Sequence, residues 1–249
     1  MDKILGLTKM KKKSEHEEKD WYVKEKTKII VLHSVGLDST VCLLQALEQG
    51  YEPISLGIDY NQKHVIETQF ALAQCKVLNV ERKLIKVSWD KPVKNIPLGR
   101  TVDEIKQSVS VAFLEGRNIV FLALACAESA GVKAKEIWLG INAIDYSGYP
   151  DCRPEFIESF ETMLGFGYPN GPKIKSPLLR MTKPEIAQEA YRLGITKGDT
   201  WSCYRPKVSQ HGIEPCNECD ACVLHNYAWT QVKETKPNPT HKFPNLNFR

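Results

Sequence analysis

The chain has 249 residues and a formal net charge of +4, with 42% hydrophobic and 26% charged residues. That composition supports a globular core and excludes a low-complexity or collagen-like polymer. No apolar run approaches the roughly 20 residues of a membrane span, and the weak positive charge shows no concentrated basic stripe of the kind nucleic-acid binders carry.

In chain order, residues 1–27 mix Lys and Glu without a sustained period and read as a flexible extension, which could dock a protein partner. They contain no secretory core, so a cytoplasmic protein is expected. "KIIVLH" (28–33) is a short β-branched run, read as a buried strand. "STVCLLQALEQG" (39–50) carries Val41, Leu44 and Leu47 at helical spacing and stops at Gly50. "ISLGIDY" (54–60) is a second strand, "HVIETQFALAQCKVL" (64–78) a second helix and "RKLIKVS" (82–88) a third strand. "NIVFLALACAESAG" (118–131) predicts another helix and "EIWLGIN" (136–142) a fourth strand. This alternation predicts an α/β domain, a doubly wound parallel sheet with helices on both faces, over 28–199. Residues 200–232 form a cysteine-bearing segment with a C-terminal helix, and 233–249, with Pro237, Pro239 and Pro244, an irregular tail.

Parallel sheets bind ligands beyond the carboxyl ends of their strands, and the chemistry-bearing residues fall there. The turn Ser34-Val35-Gly36-Leu37-Asp38-Ser39 follows the first strand and opens a helix. Helix-start amides attract anions, Ser34 and Ser39 add hydroxyls, and Gly36 permits close approach or positive φ. Asp38 is out of place beside a phosphate unless Mg²⁺ lies between them. The turn is neither a Walker loop nor a dinucleotide fingerprint; a plain capped turn accounts for it equally well. After the second strand come Asp59, Tyr60, Gln62, Lys63 and His64, which a solvated loop would also explain. After the fourth comes "GINAIDYSGYPDCRPEF" (140–156), with Asn142, Asp145, Tyr146, Tyr149, Asp151 and Arg153. An aromatic face, carboxylates and an arginine suit a purine-like ligand bearing a carboxylate. Finally, Cys203, Cys216, Cys219 and Cys222 are spaced C-x₁₂-C-x₂-C-x₂-C. Four such thiolates suit structural Zn²⁺, with an iron–sulfur cluster as the competitor. Cys42, Cys75, Cys126 and Cys152 read as core thiols, with Cys152 also able to line a pocket, and His211 and His225 are spare ligand candidates that more readily face solvent.

The turn resembles the S-G-G-x-D-S signature of PP-loop ATP pyrophosphatases, with Val35 in place of the first glycine. "DYNQKH", "EGRN" (115–118), the 140–156 stretch and "TWSCY" (200–204) resemble the QueC family of 7-cyano-7-deazaguanine synthases, the likeness running from about Lys28 to Trp229. The resemblance implies a Rossmann-like sheet of the adenine nucleotide alpha hydrolase type with a zinc knuckle. It implies ATP-dependent conversion of 7-carboxy-7-deazaguanine and ammonia to the nitrile, in a homodimer, with ATP, Mg²⁺ and Zn²⁺. Nucleotide contacts are then expected over His33, Ser34, Val35, Gly36, Leu37, Asp38, Ser39, Thr40, Val41, Cys42 and Leu43. Catalytic roles are expected for Ser34, Asp38, Ser39, Lys63, His64 and Arg117. Substrate contacts are expected from Asp59, Tyr60, Gln62, Asn118, Asn142, Asp145, Tyr146, Tyr149, Asp151 and Arg153, and Cys203, Cys216, Cys219 and Cys222 are the expected zinc ligands. Two other readings stay open: a ligase that transfers the adenylated acid to another amine, such as one on a protein partner, and a non-catalytic binding module. The valine either packs against the pyrophosphate, adding bulk and removing backbone freedom, or points its side chain into the sheet and leaves the loop unharmed.

Overall fold

The computed structural model describes residues 25–60, 65–88, 97–107, 114–143, 149–210 and 212–233. Gln62, Lys63, His64, Asp145, Tyr146 and His211, most of the N-terminal extension and most of the C-terminal tail lie outside them.

Strands β1 (Lys28–Leu32), β2 (Glu52–Asp59), β3 (Glu81–Lys86), β4 (Glu136–Trp138) and β5 (Lys173–Lys175) form one parallel sheet in the order β3-β2-β1-β4-β5. Helices α1 (Leu37–Glu48), α2 (Val65–Leu78), α3 (Val102–Lys106), α4 (Arg117–Val132), α5 (Pro154–Gly167), α6 (Lys183–Arg192) and α7 (Asp220–Thr230) surround it. Because side chains alternate across a strand, β1 feeds two cores. Ile29 and Val31 pack on α1, Ile186 and Ala190, whereas Ile30 packs with Leu122, Ala125 and Ile157. Each such side chain, fully buried, contributes about 1.5–3 kcal/mol. Burial on both faces explains why β1 reads as an unbroken apolar run.

The predicted alternation is present, with most ends shifted by one or two residues and β4 cut short. Helix α1 begins at Leu37, two residues earlier than the apolar spacing predicts, because Gly36 is already its N-cap. Strand β4 stops at Trp138 rather than at residue 142. The chain still continues the ladder once, with the Leu139 N–H donating to the Lys175 carbonyl at 3.0 Å, and then leaves the sheet.

The order places β2 and β4 on either side of β1, so the connections leaving β1 and β4 run to opposite faces. This is the topological switch point, where a crevice opens beyond the strand ends. At that point Gly140 lies under the start of α1: a Cβ there would come within 3.0 Å of the Asp38 carbonyl carbon and the Ser39 nitrogen. Because the atoms it would meet are backbone, a larger residue there would force the start of α1, and with it the turn that carries Asp38, to shift.

A third cluster sits apart from both sheet faces. Val35, Ala71, Trp201 and the four cysteines pack together, flanked by Phe70, Tyr204 and Ile213. A small antiparallel hairpin, β6 (Lys207–Ser209) and β7 (Gly212–Glu214), connects the first cysteine to the other three.

Candidate active site

A cavity of about 400 Å³ opens at the carboxyl ends of β1, β2 and β4. One wall is the β1–α1 turn. Thr40 N–H to Gly36 C=O, 3.0 Å, is the first intrahelical bond, so the amides of Leu37, Asp38 and Ser39 precede the ladder and face outward at the positive end of the helix. The turn is braced by its serines: the Ser34 N–H donates to Ser39 Oγ at 3.2 Å, and the Ser39 hydroxyl donates to the Gly36 carbonyl at 3.1 Å. Gly36 itself has ordinary extended backbone, φ −62° and ψ 156°. A Cβ there would meet Ser34 Oγ at 3.4 Å, an ordinary contact, so neither φ nor crowding by the protein demands glycine at this position.

The positive φ falls one residue earlier. Val35 stands at φ 71° and is fully buried. Its side chain does not reach the cavity but turns into the cysteine cluster. The side chain thus meets neither the ligand space nor the sheet; it packs against the cysteines and Trp201.

Asp38 is the central charge. Its Oδ2 accepts from Lys183 Nζ at 2.6 Å, while Oδ1 is buried without a hydrogen-bond partner among the described residues. A buried carboxylate oxygen left in that state is costly, and a hard divalent cation would satisfy it. Lys183, the first residue of α6, is set in place by a capping interaction in which the Thr182 N–H donates to Glu185 Oε2 at 2.7 Å.

Behind the turn, His33 is buried and neutral. Burial, and then the Arg82 guanidinium, hold its pKa down to about 3. Its ring bridges Ser55 Oγ and Gln74 Oε1, each at 2.9 Å, and Gln74 Nε2 donates to the Asp199 carbonyl at 2.6 Å. These bonds tie β1, β2, α2 and the segment before Trp201 into one support under the turn.

The other end of the cavity is aromatic and cationic. Arg117 opens α4, with its guanidinium over Phe121 at 5.9 Å and Tyr60 against the same ring at 5.5 Å. Burial works against its charge and is outweighed by the surrounding oxygens of Tyr60, Tyr204 and Asp151, so its pKa is raised. Asp151 acts as an anchor: it is buried, and its Oδ2 accepts the Asn118 N–H at 3.2 Å at the N-terminus of α4. Asn118 also donates from Nδ2 to the Asp151 carbonyl at 3.1 Å. Glu67 of α2 lines the space beside Arg117; burial pushes its pKa up to about 7, with Arg117 pulling the other way less strongly.

Of the residues singled out in the sequence, Ser34, Gly36, Leu37, Asp38, Ser39, His33, Tyr60, Arg117, Asn118 and Tyr149 line this cavity. Val35, Thr40, Val41, Cys42 and Leu43 lie in the protein interior off its wall, because they occupy the inward faces of the turn and of α1. Asn142 and Asp151 are buried behind the wall, and Asp59 ends β2 beside it. Arg153 is exposed and lines a separate shallow groove with Pro154, Phe156 and Arg180. Trp201, Ser202 and Tyr204 of the "TWSCY" stretch and Cys152 also line it, as does His225, which the sequence suggests would face solvent, whereas Lys183, Glu67 and Arg82 on the same wall carry no signal of their own in the sequence. The capping pattern Thr182-x-x-Glu185 was the readable signal for the helix that carries Lys183.

The four cysteine sulfurs are buried and lie within 4.8 Å of one another. Backbone amides point at them: Arg205 and Cys216 N–H to Cys203 Sγ at 3.3 and 3.2 Å, and Cys219 N–H to Cys216 Sγ at 3.3 Å. Such donors favour thiolates. A tetrahedral ion with bonds of about 2.3 Å spaces its sulfurs about 3.8 Å apart, and Cys216 Sγ to Cys222 Sγ is 3.9 Å. The spacing fits a single ion better than a cluster that gives each thiolate its own iron. The knuckle is pinned from outside by Arg100, which donates to both carboxylate oxygens of Asp220, and by Gly99 N–H to the Glu218 carbonyl at 2.9 Å.

Fold and site together define an α/β nucleotide-binding protein with a helix-start turn at the sheet's switch point and a four-cysteine knuckle beside it. Residues 28–233 match the family model described as queuosine biosynthesis protein QueC. The chain is 52% identical over 206 residues to 7-cyano-7-deazaguanine synthase 2 of Rhodopseudomonas palustris, covering 83% of this chain and 98% of that protein. It is 39% identical over 212 residues to 7-cyano-7-deazaguanine synthase of Novosphingobium aromaticivorans, covering 82% and 90%, and 35% identical over 224 residues to that of Myxococcus xanthus, covering 85% and 95%. The chain belongs to the QueC family.

Proposed function

We propose that the protein converts 7-carboxy-7-deazaguanine and ammonia to 7-cyano-7-deazaguanine at the expense of ATP. One observation carries this reading: a helix-start anion turn with Asp38 opens into the same cavity as the aromatic, arginine-bearing lobe of Arg117, Tyr60 and Tyr149. A nucleotide at the first and a planar acid at the second would bring a carboxylate to the α-phosphate.

A carboxylate is a poor electrophile because its oxygen is a poor leaving group, and adenylation removes that obstacle. The substrate carboxylate oxygen attacks the α-phosphorus of ATP, and the bond to the β-phosphate oxygen breaks, releasing pyrophosphate. The amides of Leu37, Asp38 and Ser39 and the Ser34 hydroxyl stabilise the departing charge. Ammonia attacks the acyl carbon, AMP leaves, and an amide with one fewer proton than the ammonia adduct results. The amide oxygen then attacks a second ATP, again releasing pyrophosphate. Loss of AMP and of both amide protons forms the C≡N bond. Glu67, with a pKa near neutrality, is placed to hold or accept these protons. Arg117 holds the acid by charge, and Phe121 and Tyr60 hold the guanidinium in place.

Asp38 Oδ1 is the protein oxygen that would hold Mg²⁺, which when bound neutralises charge on the pyrophosphate. Lys183 then supplies a second positive charge on the same carboxylate. Cys203, Cys216, Cys219 and Cys222 would hold Zn²⁺ with no position open for water, a structural arrangement. Lys63, His64, Gln62, Asp145 and Tyr146 remain part of the proposal through the family resemblance, as do a homodimer and a cytoplasmic location. Pyrophosphate release measured with the acid, ATP and ammonium tests the reading: it requires the acid, and release that persists without the acid contradicts it.

A further inference from the structure

Val35 combines two features that do not ordinarily occur together. It is β-branched, and it holds φ at 71° in the left-handed region, which such residues avoid. A conformation of this kind persists only where the surroundings over-determine it. Here the surroundings are the cysteine centre. The Val35 side chain is fully buried in one packed cluster with Ala71, Trp201 and the four cysteines. Its carbonyl accepts the Trp201 N–H at 3.1 Å. Trp201 is fixed in turn by Phe70 edge-on at 5.3 Å and by its indole N–H to the Cys203 carbonyl at 3.2 Å. A short chain of contacts thus runs from the thiol centre through Trp201 to the residue immediately before Gly36.

A glycine at this position would adopt positive φ without outside help, so the shape of the turn would be a local property. A valine has its lowest energy at negative φ. Were the cluster loosened, φ at residue 35 would relax, and rotation there would swing Gly36 and the amides that follow it. The geometry of the anion turn is therefore imposed from the cysteine side.

We propose that Val35 is a positioning residue that couples the four-cysteine centre to the nucleotide turn, so that a metal ion at the thiols and nucleotide at the turn bind with positive cooperativity. The proposal rests on the reading that this turn takes nucleotide. By linkage the coupling is reciprocal, so it can be measured on the intact zinc-loaded protein. The partition of Zn²⁺ between the protein and a strong chromogenic chelator is measured with and without saturating α,β-methylene-ATP, whose α–β bond cannot be cleaved. Nucleotide binding is measured separately by calorimetry.

In the wild type the analogue raises zinc affinity at least about fivefold, the lower end of ordinary coupling. In Val35→Gly, where the turn no longer needs the cluster, the factor falls below about twofold, and Val35→Ala lies between. Equal factors in all three proteins overturn the proposal, because the coupling then runs by another route. So does the absence of any analogue effect in the wild type when calorimetry shows that the analogue binds. If calorimetry shows no binding to the wild type, the nucleotide reading fails and the proposal falls with it. Should Val35→Gly not fold, the wild-type and Val35→Ala factors decide the matter: the proposal requires the second to be smaller.

Discussion

Replacing Val35 tests the backbone of the turn directly through stability. The side chain is fully buried. At about 0.8 kcal/mol per buried carbon, Val35→Ala loses two methyl groups, about 1.6 kcal/mol in all. Val35→Gly loses a third carbon, about 0.8 kcal/mol more, and the freer unfolded chain costs a further 0.4–1 kcal/mol or so. At a position of ordinary negative φ, glycine would therefore be the worse variant by roughly 1.2–1.8 kcal/mol. At φ 71°, alanine still bears left-handed strain of about 1–2 kcal/mol that glycine escapes. The two terms nearly cancel. Urea unfolding of the zinc-loaded variants is expected to place Val35→Ala and Val35→Gly within about 0.5 kcal/mol of each other. A glycine variant less stable than the alanine variant by about 1.5 kcal/mol or more would show that residue 35 is not left-handed and carries no such strain.

Asp38→Asn removes the charge that faces Lys183 and the site for a divalent cation. It should lower the rate of pyrophosphate release about 10²–10³-fold with circular dichroism unchanged; a loss under tenfold would remove Asp38 from the chemistry. Glu67 gives a pH signature. Its folded pKa, about 7, lies above the ordinary carboxylate value of 4.5, so its contribution to stability is fully present below about pH 4.5 and is lost as pH rises through 7. His33 acts in the opposite direction: its pKa is lowered to about 3 from 6.5, so its contribution is present above 6.5 and lost as pH falls toward 3. The stability difference between wild type and Glu67→Gln isolates the first effect; it should shift in favour of the variant from pH 4.5 to 7, and a flat difference contradicts the assignment. Cys219→Ser should reduce bound zinc from one ion per chain and lower the melting temperature, measured by elemental analysis and calorimetry. Full zinc retention with an unchanged melting temperature would mean that this thiol is not a ligand.

The parts of the molecule legible in the sequence are those whose signals are local. Strand β1 announces itself by an apolar run bounded by Ser34, and the cysteine knuckle by spacing within twenty residues. The edge strand beyond β4 is not legible. Strand β5 is three residues long and buries only Ile174, too little for a pattern to show. Helix α6 carried a readable capping pair, but its importance comes from Lys183 meeting Asp38 across 145 residues of chain, a contact created by the sheet order rather than by sequence spacing. The misplaced nucleotide contacts have the same origin. Thr40 to Leu43 follow the turn in sequence, yet α1 rotates them into the core within one helical turn. Val35 was conspicuous as a departure from the glycine pattern, but whether it faces ligand or core depends on Trp201, which is distant in sequence.

The central claim is that one cavity activates a carboxylate twice and delivers a nitrile. Incubating the zinc-loaded protein with 7-carboxy-7-deazaguanine, ATP, Mg²⁺ and ¹⁵N-ammonium, and following products by mass spectrometry, tests it most directly. The account predicts a product carrying a single ¹⁵N in a nitrile, with the labelled amide as a passing intermediate and AMP formed alongside. Accumulation of the adenylate or amide with no nitrile, or recovery of unchanged acid, would contradict it.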